Sequence, residues 1–300
     1  MKKLNYFLLF FIFQGEFLLS SNHAPSLTTS FGPRARALGN APSKDFVYDA
    51  LITNPASLVN SKEYQAEAVY SIDNSLMGVA VIDNKAKSFG GGMYYSQQKL
   101  SDLNNKPLFI GNNKYFIQEF GLSFFDHIGK NLGFSVQGTF RNYDFEDLNI
   151  KQEKKINVGA GIYYQLNQFV SFSVSGNNLL GSKDGFERAN INGGLTLAKE
   201  SLQLSLYGFK YLDKQKSSYK FELFKPDEDF SYGGSLSYLY KKLAKVSVGY
   251  SFLNYWGVEQ LSSGLSLFYE NLILGYSFQM NLKGDQDKYQ SHSFSLGINL

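Results

Sequence analysis

The chain has 300 residues, of which 43% are hydrophobic, 16% aromatic and only 18% charged, with a net charge of +3 and no cysteine. Beyond the first twenty positions no apolar run approaches the ~20 residues of a membrane-spanning helix, which excludes a helical membrane protein, and the abundance of Phe and Tyr excludes a disordered chain. The lack of Cys removes thiolate metal sites and Cys nucleophiles, and Lys and Arg interleave with Asp and Glu, so no basic face for nucleic acid emerges.

Lys2 and Lys3 precede an apolar stretch from Leu4 to Phe13, and small residues follow at Ser20, Ser21 and Ala24. This pattern predicts a secretory signal peptide over residues 1–24. Residues 25–63 do not alternate. They contain Gly32-Pro33-Arg34-Ala35-Arg36-Ala37-Leu38-Gly39-Asn40-Ala41, then Asp49-Ala50, then Asn54-Pro55-Ala56-Ser57-Leu58. Proline restricts Asn54 to an extended conformation, and an Asn side chain there can bond the nearby backbone to close a turn. That turn, rather than contact with a ligand, is the preferred role for Asn54. Arg36, if it lies in an interior, needs a carboxylate, for which Asp49 and Glu119 are the candidates. A place at the rim is the equal alternative.

From Asn131 to Leu300 apolar residues recur at every second position, the period of strands with two different faces. Strands are predicted near 64–71, 75–82, 87–96, 114–125, 131–141, 155–165, 168–176, 189–198, 201–211, 230–240, 243–252, 260–269, 272–281 and 290–300. Their length, about 8 to 12 residues, is near the ~9–11 that cross a tilted bilayer span. The connections alternate between short ones, such as Leu166-Asn167 and Lys199-Glu200, and long ones, such as 97–113 and 212–229. Outer-membrane barrels have this rhythm of short periplasmic turns and long outer loops. The expected fold is therefore all-β: a transmembrane antiparallel β-barrel of about fourteen strands over residues 64–300. Residues 25–63 are expected to fold back into its lumen as a hatch.

Other features agree with this map. Asp144, Glu146, Asp147, Glu153, Lys183, Asp227, Glu228 and Asp229 fall in the expected outer loops. Ser218–Phe224 has strand-like composition, but counting it would break the long-short rhythm, so it is assigned to an outer loop. Tyr164, Tyr238, Tyr240 and Tyr269 stand near strand ends, where interfacial aromatic girdles occur. Inward positions such as Ser135, Ser173, Ser247 and Ser277 are small and uncharged. A diffusion pore is expected to carry charged rings instead, so the wall has room for a solid plug. The last strand alternates through Phe294, Leu296, Ile298 and Leu300, a pattern expected to be read by barrel-insertion machinery. Gly90-Gly91-Gly92 marks a bend or a close approach, and a side opening there would suit a hydrophobic cargo.

The order Arg-Ala-Leu-Gly-x-Ala, Asp-Ala and Asn-Pro-Ala-x-Leu ahead of the first strand resembles the N-terminal hatch of the FadL-type long-chain fatty acid transporters and of the shorter PorV/PorQ-like outer-membrane proteins. Gly176-Asn177-Asn178-Leu179-Leu180-Gly181 and His292-Ser293-Phe294-Ser295-Leu296 add to the resemblance. It implies a fourteen-stranded barrel in the bacterial outer membrane whose lumen is blocked by the hatch. Arg36, Gly39, Asp49, Asn54, Pro55 and Ala56 then form the hatch motif. The length favours the PorV/PorQ-like branch, whose namesakes are accessory barrels of a protein secretion system.

An enzyme is not expected. Of the three histidines, His23 leaves with the signal, while His127 and His292 are assigned to opposite ends of the barrel and cannot share a site. No cofactor or metal is called for, and the acidic Asp227-Glu228-Asp229 run is read as solvated loop charge. The expected function is passage of hydrophobic small molecules through a plugged barrel. A structural or secretion-accessory role that binds secretion-system proteins is the alternative, with a diffusion porin third. The expected surroundings are outer-membrane lipid.

Overall fold

The computed structural model describes residues 47–61, 64–72, 76–85, 89–100, 115–145, 153–180, 189–212, 230–253, 258–283 and 290–300. Two short helical pieces come first: α1 (Val47–Thr53) and a 3-10 turn (Pro55–Asn60). Seven strands follow, β1 (Tyr64–Ser71), β2 (Leu76–Asp83), β3 (Gly90–Leu100), β4 (Tyr115–Ile128), β5 (Leu132–Phe145), β6 (Glu153–Gln165) and β7 (Val170–Asn177). The second half comprises β8 (Asn190–Lys199), β9 (Leu202–Tyr211), β10 (Phe230–Tyr240), β11 (Ala244–Leu253), β12 (Val258–Tyr269), β13 (Leu272–Lys283) and β14 (Gln290–Asn299). Each strand pairs antiparallel with its neighbours in sequence, and β1 pairs with β14, so the fourteen strands close into a barrel without an edge.

Burial follows the period of two, with the usual polarity reversed. Along β2 the residues Met77, Val79 and Val81 are exposed, while Leu76, Ala80 and Ile82 are buried. On β10 and β11, Leu236, Tyr238, Val246 and Val248 point outward while Ser235, Ser237 and Ser247 point inward and are buried. An apolar exterior around a hydroxyl-lined interior is the arrangement of a barrel whose outer solvent is lipid. Tyr64, Tyr164, Tyr238, Tyr240 and Tyr269 are exposed near the short-turn end, where a ring can meet lipid and a hydroxyl water. Lys85 and Lys241 reach over the rings of Tyr64 and Tyr240, at 5.6 and 5.3 Å from their centroids.

The ladders extend beyond the alternating stretches at the long-loop end. Asp144 and Glu153, expected in a loop, are outer rungs of β5 and β6. The ladder continues there through Asp144 and the Glu153-Lys154-Lys155 run, where charged residues end the hydrophobic period before the strand ends. Residues 213–229, including Ser218–Phe224 and the Asp227-Glu228-Asp229 run, lie outside the described residues.

The short turns carry backbone strain. In the β10–β11 turn Lys241 and Lys242 have φ of 46° and 58°, and the Leu243 N–H donates to the Tyr240 carbonyl at 2.8 Å. Two consecutive positive φ values suit Asn-Gly rather than two lysines, because Cβ clashes in that region cost ~1–2 kcal/mol per residue. The double substitution Lys241→Asn, Lys242→Gly is expected to stabilise the barrel by about 1 kcal/mol. A higher urea midpoint for unfolding from lipid bilayers would bear this out.

Candidate functional site

The only described chain inside the barrel is the segment from Val47 to Ser61. All seven residues of α1 are buried, and Leu51 and Leu58 have no exposed surface. The segment descends along the inner faces of β1–β7. Tyr48 lies against β1 and β2, and Leu58 to Ser61 reach the short-turn end, where the Asn84 amide donates to their carbonyls at 3.0 to 3.4 Å. It then turns into β1. Val47, Tyr48, Leu51, Ile52, Leu58 and Val59 share one apolar cluster with Val69, Ala80, Ile82, Tyr94, Phe125 and Tyr163 of the wall. Burying a side chain of this size contributes ~1.5–3 kcal/mol.

Wall side chains also bind the backbone of the segment. The Tyr48 N–H donates to Glu67 at 3.0 Å, and the Gln137 amide donates to the Leu51 carbonyl at 2.5 Å. Ser175 and Asn177 donate to the Thr53 carbonyl at 2.7 and 3.3 Å. His127 Nε2 lies 3.1 Å from the Val59 carbonyl. These bonds satisfy backbone groups that a helical end leaves open.

Asn54 is extended at φ −157° and ψ 91°, and its Oδ1 accepts the Ala56 N–H at 3.1 Å, which caps the 3-10 turn. Pro55 occupies the first position of that turn, where a missing N–H costs nothing. The Asn54 amide N–H groups point the other way and donate to the carbonyls of Ile162 and Val174, at 3.1 and 3.3 Å. A Cβ at Gly161 would collide with Asn54 Oδ1, so glycine there is what admits this side chain to the wall. Ala56 is fully buried, and Asp49, also buried, accepts the Thr53 hydroxyl on its carbonyl at 2.7 Å. Arg36 and Gly39 lie outside the described residues.

Glu119, one of the two carboxylates considered for Arg36, is engaged within the wall. Arg141, which faces it across the β4–β5 ladder, donates to it through Nε, and the Tyr94 hydroxyl donates to its other oxygen. Both charges are about 5% exposed. Removing one partner from such a buried pair costs ~3–5 kcal/mol. The Tyr94 ring meets Tyr48 edge to face at 6.2 Å, so the ion pair backs an aromatic contact with α1. The lumen is thus less neutral than its small inward residues suggest, since Glu67 and Lys245 also face it, the latter donating to Gln203 at 3.2 Å.

Gly90-Gly91-Gly92 does not open the wall. β3 pairs with β4 through all three and with β2 through Gly91 and Gly92, with no shift of register. At Gly90 and Gly92 smallness serves close approach, because a Cβ at Gly90 would collide with the Phe125 ring and one at Gly92 would stand 2.6 Å from a Leu51 methyl. His127 lies at the short-turn end and His292 at the long-loop end, where its Nδ1 is 2.8 Å from the Tyr276 hydroxyl. Phe294, Leu296 and Ile298 point outward from β14, and the Leu300 N–H donates to the Tyr64 carbonyl at 2.9 Å where the barrel closes.

No family model matches the sequence, and a search of curated proteins finds no relative. Solved structures do match. The CymD monoaromatic hydrocarbon channel superposes with a TM-score of 0.64 at 11% identity, covering 92% of this chain and 99% of the other. The Ralstonia pickettii toluene transporter TbuX gives 0.62 at 11% identity, with 89% and 97% covered. A Pseudomonas aeruginosa FadL homologue gives 0.60 at 9% identity, with 91% and 99% covered. In its strand number, closure and outward apolar belt, the chain has the fold of a FadL-type β-barrel of the bacterial outer membrane.

Proposed function

We propose that this protein passes hydrophobic small molecules across the outer membrane through a barrel plugged by residues 25–63, without catalysing a reaction. On this reading residues 1–24 direct export and residues 64–300 form the wall. Arg36, Gly39, Asp49, Asn54, Pro55 and Ala56 belong to the plug. The observation that carries the reading is the buried segment from Val47 to Val59, held to the wall through its own backbone. A segment bound in this way narrows the lumen at the short-turn end, which favours a selective passage over free diffusion. The fold neighbours are described as a hydrocarbon channel and a toluene transporter, which supports a hydrophobic cargo for this barrel too.

Cells whose outer membrane excludes toluene are expected to take up labelled toluene severalfold faster when they carry this protein in the membrane. Equal rates with and without it, at verified outer-membrane levels, would remove the transport reading and favour the accessory one.

A further inference from the structure

We propose that Asn54 fastens the seam between β6 and β7, so that the position of the interior segment and the integrity of the wall at that seam are coupled. Among the described residues this seam has the shortest ladder in the barrel. It runs only from the Ala160–Gly176 pair to the Gln165–Ser171 pair, although β6 continues upward to Glu153. Above it, the Val158 carbonyl is met by the Leu179 N–H at 2.9 Å, beyond the end of β7. Fewer rungs mean less to hold the two strands together.

The interior segment binds at this place. Ile162 and Val174 face each other across the ladder. The single Asn54 amide donates to both of their carbonyls, at 3.1 and 3.3 Å, and so spans the seam from inside. The preceding residue continues the attachment, since the Thr53 carbonyl accepts from Ser175 and Asn177 of β7. Gly161 supplies the space, and the same Asn54 side chain caps the 3-10 turn through its oxygen. One side chain therefore serves the fold of the segment with its acceptor and the wall with its donors. Moving Thr53 and Asn54 inward breaks the bridge and the anchor together, whereas loosening the segment at Asn84, near the turn end, leaves both in place and reaches the seam only through the exposed 3.4 Å contact of Asn60 with Gln165 at its last rung. This coupling does not depend on what the barrel carries.

The test is hydrogen exchange of the full-length protein in lipid nanodiscs, comparing residues 160–165 and 171–176 with strands β11–β13. Asn54→Ala is expected to speed exchange in the seam by about tenfold or more, the effect of losing one or two hydrogen bonds, with β11–β13 unchanged. Asn54→Asp keeps the oxygen that caps Ala56 but has no N–H to donate, so it is expected to loosen the seam equally even if the alanine variant fails to assemble. Asn84→Ala, which releases the Leu58, Val59 and Ser61 carbonyls, is expected to leave seam exchange within about twofold of the original. The proposal is overturned if Asn54→Asp exchanges like the parent protein at the seam, if exchange rises equally in all strands, or if Asn84→Ala loosens the seam as much.

Discussion

Deletion of Gly32 to Ser57 is expected to raise the conductance of the barrel severalfold in planar bilayers, while the intact protein conducts little. The described part of that stretch, Val47 to Ser57, packs on the inner faces of β1–β7 and buries its apolar side chains there. The wall beneath it is shaped to receive it, with Gly92 and Gly161 open to Leu51 and Asn54. Its removal uncovers Glu67 and the Glu119–Arg141 pair, and charged groups facing a lumen hold water and ions. The barrel itself is expected to fold, because every strand keeps both of its neighbours. A large steady conductance from the intact protein, unaltered by the deletion, would replace the plug with a diffusion porin.

The second large effect is expected at the C-terminus. Substituting Phe294 and Leu300 together by Asp should leave unfolded protein in the periplasm and little in the outer membrane, measured by fractionation and by heat-dependent gel mobility. Phe294 is outward-facing on the strand that closes the barrel, paired to Tyr70 on one side and Tyr276 on the other. A charge on this face must enter lipid. Leu261→Asp provides the comparison, since Leu261 also faces outward but on β12. If the terminal pattern is what insertion machinery reads, Leu261→Asp lowers stability yet still reaches the membrane. Loss of both variants to the same degree would reduce the terminal effect to the ordinary cost of charge in lipid.

The strands were legible because lipid and lumen impose opposite chemistry on alternate residues, and that alternation survives without any knowledge of pairing. Strand ends were less legible. At Asp144 and Glu153 the ladder continues past the last alternating residues, and the charged positions there erase the period. Partners across strands depend on register, which a small error in a turn displaces. A β4–β5 turn centred on Ile128 would set Glu119 opposite Gln137. The turn at Gly129–Asn131 sets it opposite Arg141, and the buried ion pair follows from that shift. At Asn54 the extended backbone and the cap could be argued from Asn-Pro alone. Its grip on Ile162 and Val174 could not, because residues more than a hundred positions away meet it only once the barrel is closed.

The contacts of the interior segment fall on β1–β7, the strands that leave the ribosome first. The N-terminal half thus carries an apolar nucleus of its own, from Val47 to Tyr163, whereas the inner face of β10–β14 offers mainly serine, glycine and amide side chains. Assembly can therefore begin from a half-cylinder already wrapped around its filling, to which later strands add one hairpin at a time. The β1–β14 ladder joins the most distant parts of the sequence, and the loop entropy it must overcome is the largest in the molecule. A first half stiffened from within holds β1 in place for that final pairing, so the barrel that lacks Gly32 to Ser57 is expected to close more slowly even though it still folds.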